Sequence, residues 1–234
     1  MHFPKESALF ARACEQGIYE PNITRLLISL TKSGSTFFAV GANIGLTSVP
    51  VLASSSNNSV VSFEPSPSCL ESLRKTYGQS AFTDRWKIIS KAVGRSSGVT
   101  DFFISSPSLS NYDGIVDTGR SGERQKISVE ITTLDKAWSE LGRPAVSAIK
   151  IDVEGAESDV IAGAEELITS QKPSVVLEWY EGNLIPYGRD PASLLEIAAR
   201  LHYKVLSIPG LVPIEETRVM RAHMITADGF LLIG

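Results

Sequence analysis

The chain has 234 residues, a length that predicts one large domain, and 43% of them are hydrophobic, as is typical of a protein with a packed core. The formal net charge of −4, with lysines and arginines scattered along the chain, argues against nucleic acid as a partner. No apolar stretch approaches the roughly 20 residues of a membrane-spanning helix, and the first residues lack the layout of a signal peptide. Cys14 and Cys69 form neither a disulfide framework nor a zinc pattern. We therefore expect a cytoplasmic protein without a membrane partner.

Apolar residues recur at helical spacing between residues 9 and 30, and Pro21 divides them into two short helices. From residue 36 onwards, short apolar segments of strand-like composition alternate with helical ones. The predicted strands cover residues 36–40, 60–64, 87–93, 146–151 and 175–179, and the predicted helices include 44–52, one capped by Ser66 or Ser68, 156–168 and 192–201. We expect a helical extension at residues 1–33 and one domain at residues 34–234.

Alternating strands and helices with right-handed crossovers favour an α/β fold, a Rossmann-like doubly wound sheet whose strands are mostly parallel. Residues 203–208 and 230–233 predict two last strands without an obvious long helix between them, which indicates an antiparallel hairpin at the C-terminal edge. Residues 101–104 and 127–131 predict two more strands, and the polar segment between them, 105–125, is expected to be a mobile loop that closes over a substrate.

The first strand ends at a glycine-rich turn, Gly41-Ala42-Asn43-Ile44-Gly45. Doubly wound sheets bind ligands beyond the carboxyl ends of their strands, and glycine permits both a sharp turn and the close approach of a cofactor. Glu64 ends the second strand, where a carboxylate can accept hydrogen bonds from both ribose hydroxyls of an adenosine-containing ligand. A plain strand-to-helix turn and a solvated carboxylate are the structural alternatives, but together the two features indicate a nucleoside cofactor.

The spacing of the glycines favours one cofactor of this kind. In a dinucleotide site the central position of the turn is a glycine, which admits the pyrophosphate. Here that position holds Asn43, whose side chain makes a pyrophosphate harder to place. S-adenosylmethionine has no phosphate and fits, whereas an NAD-dependent dehydrogenase is the alternative enzyme class.

Carboxylates also follow the fourth and fifth strands. Asp152, Glu154 and Glu157 come directly after the fourth strand, and Glu178 ends the fifth. A substrate would meet the reactive end of the cofactor at this edge, and a carboxylate there can remove a proton. Capping of the next helix is the structural alternative for the first three. The three histidines have no spacing that predicts a metal site or a catalytic triad.

Together these segments resemble the FkbM family of S-adenosylmethionine-dependent methyltransferases, which have the Rossmann-like class I methyltransferase fold. The resemblance is carried by residues 40–45, 62–67, 92–94, 132–135 and, above all, 150–157. It implies that the loop Gly41–Gly45 holds the methionine part of the cofactor and that Glu64 holds its ribose. It also implies that Ala92 and Val93 flank the adenine.

The same resemblance implies that Asp152 and Glu154 face the substrate, either as a base or as metal ligands, so a divalent metal ion is left undecided. Two positions depart from the family pattern. Ala39 stands where the family has an aspartate that helps to hold the amino group of the cofactor, and Arg95 stands where an acidic residue is common. The first departure removes a carboxylate from the expected cofactor site.

These inferences predict in-line methyl transfer from S-adenosylmethionine to a hydroxyl oxygen, with Asp152 as the first choice of base and Glu154 and Glu178 next. By resemblance, the acceptor is a small molecule, either a sugar or a secondary metabolite. A protein that binds the cofactor without turnover is the non-catalytic alternative, with Ala39 as its sign. The oligomeric state is left open.

Overall fold

The computed structural model describes residues 1–3, 8–105, 113–117, 119 and 124–234. Within them the strands form a large sheet of seven strands and a small sheet of three. The strands are β1 (Thr36–Val40), β2 (Ser59–Phe63), β3 (Trp86–Ile89), β4 (Ala92–Val93), β5 (Gly98–Ile104), β6 (Gln125–Thr132), β7 (Val146–Ile151), β8 (Ser174–Glu178), β9 (Lys204–Ile208) and β10 (Gly229–Ile233). The helices are α1 (Ala8–Gln16), α2 (Pro21–Leu30), α3 (Ser48–Ser54), α4 (Pro67–Gly78), α5 (Leu134–Glu140), α6 (Glu157–Ala162), α7 (Glu165–Gln171), α8 (Glu181–Leu184), α9 (Ser193–Leu201) and α10 (Thr217–Met224).

The large sheet has the strand order β3-β2-β1-β7-β8-β10-β9. The first five strands in this order are parallel, and β10 runs antiparallel to both β8 and β9. The order reverses between β1 and β7, so the carboxyl ends of these two strands open the crevice in which doubly wound sheets bind ligands. The prediction of an α/β fold with a mostly parallel sheet and an antiparallel C-terminal edge is confirmed.

The large sheet is covered on both faces, which explains why every residue of β1 is buried. On one face, Phe38 and Val40 belong to a core formed with side chains of α5, α6, α7 and α9. On the other face, Phe37 and Ala39 belong to a core formed with side chains of α2, α3 and α4. Helices on both faces are what a doubly wound fold requires.

The two short helices predicted before the sheet are α1 and α2, and Pro21 is the first residue of α2, where its missing amide hydrogen costs nothing. Leu27 of α2 is fully buried against the sheet. The division between residues 33 and 34 stays a prediction. Among the described residues, no helix combines the length and the hydropathy that crossing a bilayer requires.

The single strand predicted at residues 87–93 is wrong. β3 ends at Ile89, and the chain then joins the small sheet as β4, which runs parallel to β6. The Lys91 amide donates to the Ile89 carbonyl in the turn that separates the two strands. β5 and β6 pair antiparallel, and they contain the two strands predicted around the polar segment. That segment, 105–125, lies mostly outside the described residues.

The helix predicted at residues 44–52 begins only at Ser48 and ends at Ser54. Gly45 has a φ angle of 91°, which an α-helix does not accommodate, and its amide donates to the Ala42 carbonyl to close a turn. The chain therefore leaves β1 through turns, and the backbone of this loop is placed at the cavity described below.

The helix predicted at residues 156–168 is divided into α6 and α7. Between them Gly163 lies so close to Gly94 that an added Cβ atom would be 2.1 Å from the Gly94 carbonyl oxygen, and its own carbonyl accepts the Asp135 amide. The link between the last two strands, predicted without a long helix, contains α10, and β10 lies between β8 and β9.

Candidate active site

A cavity of about 290 Å³ opens at the carboxyl ends of β1, β2, β7 and β8. Its walls are formed by the turn after β1, the end of β2, the small sheet, the loop after β7 and the N-terminal helices. Among the described residues that line it, seven are Asp or Glu and three are Lys or Arg. This surplus of carboxylates favours a cationic ligand over a phosphate.

The turn after β1 lies against the loop after β7. Gly41 has a φ angle of 76°, and a Cβ atom added to it would be 1.8 Å from the carbonyl oxygen of Asp152. Only glycine permits this approach, so this position ties the ends of the first and fourth predicted strands together. The amides of Gly41 and Ala42 donate to the Phe63 carbonyl at 3.1 and 3.0 Å. Gly41, Ala42 and Asn43 all line the cavity.

Glu64 connects this turn to the end of β2. It is 5% exposed, and its Oε2 and Oε1 atoms accept the amides of Asn43 and Ser66 at 2.7 and 2.8 Å. Burial raises the pKa of Glu64 to about 8, against the effect of these hydrogen bonds. The Asn43 Oδ1 atom is buried and has no hydrogen-bond partner among the described residues, so it is available to a donor on a ligand.

Gly45 lies behind the turn rather than in the cavity wall. A Cβ atom added to it would be 3.0 Å from Leu73 Cδ1 and 3.2 Å from the Trp86 ring. Its part in cofactor binding stays a prediction. Its positive φ angle shapes the turn, and the nearby side chains leave little room for a larger residue.

The small sheet supplies an apolar wall of the cavity. Ala92, Val93 and Phe102 are buried there, and all three line the cavity. Such a wall suits a flat, weakly polar group, as the predicted contact of Ala92 and Val93 with an adenine requires.

Asp113 was not predicted from the sequence, although it lines the cavity. It accepts hydrogen bonds from the Ser66 hydroxyl at 2.7 Å and from the amide and hydroxyl of Ser105 at 2.8 and 2.7 Å. Ser66, one of the two predicted caps, is the N-cap residue of α4, but its hydroxyl binds Asp113 and makes no capping hydrogen bond to the helix. Asp113 falls in the polar segment, where no periodic pattern marks it.

The carboxylates predicted after β7 and at the end of β8 come together. One carboxylate oxygen from each of Asp152, Glu154 and Glu178 lies within 4.8 Å of the other two. Glu154 is held with a φ angle of 56°, and burial, together with the charges of Asp152 and Glu154, raises the pKa of Glu178 well above its ordinary value. This cluster can accept a proton or offer oxygen ligands to a divalent cation.

Lys150 anchors one side of the cluster. Its Nζ atom donates to Asp152 Oδ2 at 2.6 Å and lies 3.9 Å from Glu20 Oε2. Burial lowers the pKa of Lys150, but Asp152 and Glu20 outweigh it, so the pKa lies above its ordinary value. The ammonium group therefore stays charged and fixes the orientation of Asp152.

Glu157 does not join the cavity wall with the other acids. It is 1% exposed, and its Oε1 atom accepts the amides of Val153 and Gly155 at 3.1 and 3.0 Å. Burial raises the pKa of Glu157 to about 7. The structural alternative applies here, because Glu157 holds the loop that carries Asp152 and Glu154.

Several lining residues come from parts of the chain that sequence reasoning left out of the site. Arg12, Tyr19 and Glu20 belong to the N-terminal helices or their link, and only the packing of α2 brings them to the cavity. Asp228 precedes β10, and because β10 is antiparallel, its start lies at the edge where the parallel strands end. The predicted antiparallel strand was a signal for Asp228, whereas nothing local marks Glu20.

Sequence comparison relates the chain to known proteins. Residues 39–204 match the family model described as the methyltransferase FkbM domain. The 2-O-methyltransferase NoeI of Sinorhizobium fredii is 30% identical over 199 residues, which cover 74% of this chain and 79% of NoeI.

Solved structures share the fold. The methyltransferase FkbM of Methylobacillus flagellatus superposes with a TM-score of 0.53 at 15% identity over 86% of this chain, which spans 44% of that longer protein. A protein from Klebsiella pneumoniae described as an O-methyltransferase superposes with a TM-score of 0.52 at 11% identity, covering 98% of this chain and 82% of that one. Taken with the sequence matches, these findings show that the chain belongs to the FkbM family of S-adenosylmethionine-dependent methyltransferases.

Proposed function

We propose that the chain methylates a hydroxyl oxygen of a small molecule, a sugar or a secondary metabolite. The observation that carries the proposal is the juxtaposition, at one cavity, of the turn at Gly41, the carboxylate of Glu64 and the acidic cluster around Asp152. The name of NoeI, a 2-O-methyltransferase, supports oxygen as the methylated atom.

The cofactor is assigned to the wall between the turn and the small sheet. Gly41, Ala42 and Asn43 present backbone groups to the methionine part, and Glu64 accepts the ribose hydroxyls. The apolar side chains of Ala92 and Val93 contact the adenine. The fit is supported by the acidic lining, since S-adenosylmethionine carries a sulfonium and an ammonium group and has no phosphate.

S-adenosylmethionine supplies an electrophilic methyl group, so the chain's residues position the acceptor and take its proton. With the cofactor bound, its methyl group would pass to the hydroxyl oxygen, and a carboxylate of the acidic cluster would take the proton that the hydroxyl group loses. Asp152 is the proposed base, because Lys150 holds its Oδ2 atom and orients Oδ1. Glu154 and Glu178 lie close enough to hold the acceptor or to replace Asp152. A divalent cation at this cluster is tested by adding EDTA and then Mg²⁺ to the assay.

The same lining, with more acidic than basic side chains, offers no excess of positive charge for phosphates, which supports a small-molecule acceptor over nucleic acid. It also disfavours the pyrophosphate of NAD, so the dehydrogenase alternative has less support. A cytoplasmic location is proposed because the chain has only two cysteines, Cys14 and Cys69, far apart in sequence, which fits a reducing compartment.

Calorimetric titration with S-adenosylmethionine tests the cofactor assignment, with NAD as the competitor and Glu64→Ala as the variant. We expect micromolar binding by the wild-type protein and its loss in the variant, because the variant lacks the carboxylate proposed to accept the ribose hydroxyls. Transfer of radioactive methyl groups to a panel of hydroxylated sugars and secondary metabolites then tests turnover. Binding of NAD in place of S-adenosylmethionine would refute the proposal, and tight binding with no transfer to any acceptor would favour a cofactor-binding protein without activity.

A further inference from the structure

Glu20, the residue before α2, contributes its carboxylate to the cavity wall. Its φ and ψ angles of 44° and 65° are left-handed, which is unfavourable for a residue with a Cβ atom. Its Oε2 atom is buried, lies 3.9 Å from Lys150 Nζ, and has no hydrogen-bond partner among the described residues. A buried acceptor without a donor is costly to a fold, so this oxygen points to a donor that the ligand brings.

The sheet register places this carboxylate beside the turn assigned to the methionine part of the cofactor. Ala39 pairs with Lys150 across β1 and β7, so their side chains lie on the same face, which α2 covers. Ala39 itself is buried and offers no polar group. Lys150 lies between the carboxylates of Glu20 and Asp152, and the backbone of Asp152 touches Gly41. The N-terminal extension thus brings an acid to the place where β1 has none.

We propose that Glu20 binds the α-amino group of S-adenosylmethionine through Oε2 and supplies, from the N-terminal extension, the carboxylate that β1 lacks at Ala39. The inference rests on the proposed function, because it assumes that this cavity holds the cofactor. An α-ammonium group has three donors and a positive charge, which match an acceptor oxygen in a wall rich in carboxylates. Burial raises the pKa of Glu20 and the Lys150 charge lowers it, so a bound ammonium group would favour the ionised carboxylate further.

Two ligands separate the amino-acid contact from the rest of the site. S-adenosylhomocysteine and 5′-methylthioadenosine both have an adenosine and a neutral sulfur, but only the first has an α-amino group. We expect Glu20→Gln to weaken S-adenosylhomocysteine roughly 10-fold to 100-fold, as the loss of a hydrogen bond between charged groups does, and to leave 5′-methylthioadenosine within about twofold. Glu15→Gln, which removes an exposed carboxylate from α1, is the matched control and is expected to change neither affinity.

Calorimetry on the full chain measures the affinities, and circular dichroism with thermal unfolding confirms that each variant is folded. Equal weakening of both ligands by Glu20→Gln would mean that Glu20 only shapes the cavity, and it would overturn the inference. Unchanged affinity for S-adenosylhomocysteine would overturn it as well, while the proposed function would stand. A wild-type protein that binds neither ligand would instead refute the proposed function, and the inference with it.

Discussion

Replacing Gly41 by alanine is expected to destabilise the fold and to displace the turn after β1. The added Cβ atom would lie 1.8 Å from the carbonyl oxygen of Asp152, and the contact must open by about 1.2 Å to reach even 3.0 Å. The Asp152 backbone cannot move away easily, because its amide donates to the Val40 carbonyl at 3.1 Å. Gly41 itself donates to Phe63, so the turn is held on its other side as well.

Two costs add at this position. A non-glycine residue at a φ angle of 76° costs about 1 kcal/mol, and forcing an extra carbon into a packed site costs roughly 1–3 kcal/mol more. Gly34 is a control that separates the backbone cost from the crowding cost, because its φ angle is 78° but nothing lies within 4 Å of an added Cβ atom. Gly34→Ala is therefore expected to lower the free energy of unfolding by about 1 kcal/mol, and Gly41→Ala by about 3 kcal/mol.

Urea unfolding followed by circular dichroism measures both values. Calorimetry with S-adenosylmethionine provides a second measurement, in which Gly41→Ala weakens binding and Gly34→Ala does not. If the two variants lost the same free energy of unfolding, the close approach of the turn to the loop after β7 would be refuted, and with it the reason for a glycine at the start of this turn.

Three further predictions concern carboxylates of the cavity and of the loop behind it. Asp152→Asn should lower the rate of methyl transfer at least about 100-fold, as the loss of a general base does, while calorimetry finds a cofactor affinity within about threefold of the wild-type value. An unchanged rate would show that Asp152 is not the base. Because Glu64 has a pKa of about 8 and must lose its proton to accept ribose hydroxyls, the affinity for S-adenosylmethionine should rise by close to tenfold per pH unit between pH 6 and 7.5, and a flat profile would contradict this. Glu157 has a pKa of about 7 in the folded state and 4.5 in the unfolded state, so the folded state binds more protons and its contribution to stability falls as the pH rises. Glu157→Gln should therefore reduce the loss of unfolding free energy between pH 5 and 7 by about 2 kcal/mol, as measured by urea unfolding at each pH.

The strands of the large sheet were predictable where burial on both faces leaves a mostly apolar run. The bounds of β1 and β7 agree with the predicted residues 36–40 and 146–151 for this reason. The strand predicted at residues 87–93 failed because apolar composition does not tell which sheet a strand joins. The helix predicted at residues 156–168 is divided at Gly163, which lies against Gly94. Because Gly94 is distant in sequence, the local pattern does not show this division.

The candidate site was predictable to the extent that the fold places strand ends together. Glu64, Asp152, Glu154 and Glu178 were found because each follows a strand, and strand ends share one edge. Glu157 was grouped with them because it also follows a strand. Its side chain instead turns toward the amides of Val153 and Gly155, whose hydrogen bonds it accepts. Spacing along the chain carries no information of that kind.

Stability and binding oppose each other at this edge of the sheet. Burial raises the pKa of Glu20, Glu64 and Glu178, so each is costly to ionise in the free protein. Glu157 is also buried and, like Glu64, accepts backbone amides of a loop, but it does not line the cavity. In the free protein the acids that line the cavity are costly to ionise, and a bound ligand with a positive charge would offset that cost. Under the proposed function, a cationic cofactor would offset this cost, so the burial of these acids is better explained by ligand binding than by stability.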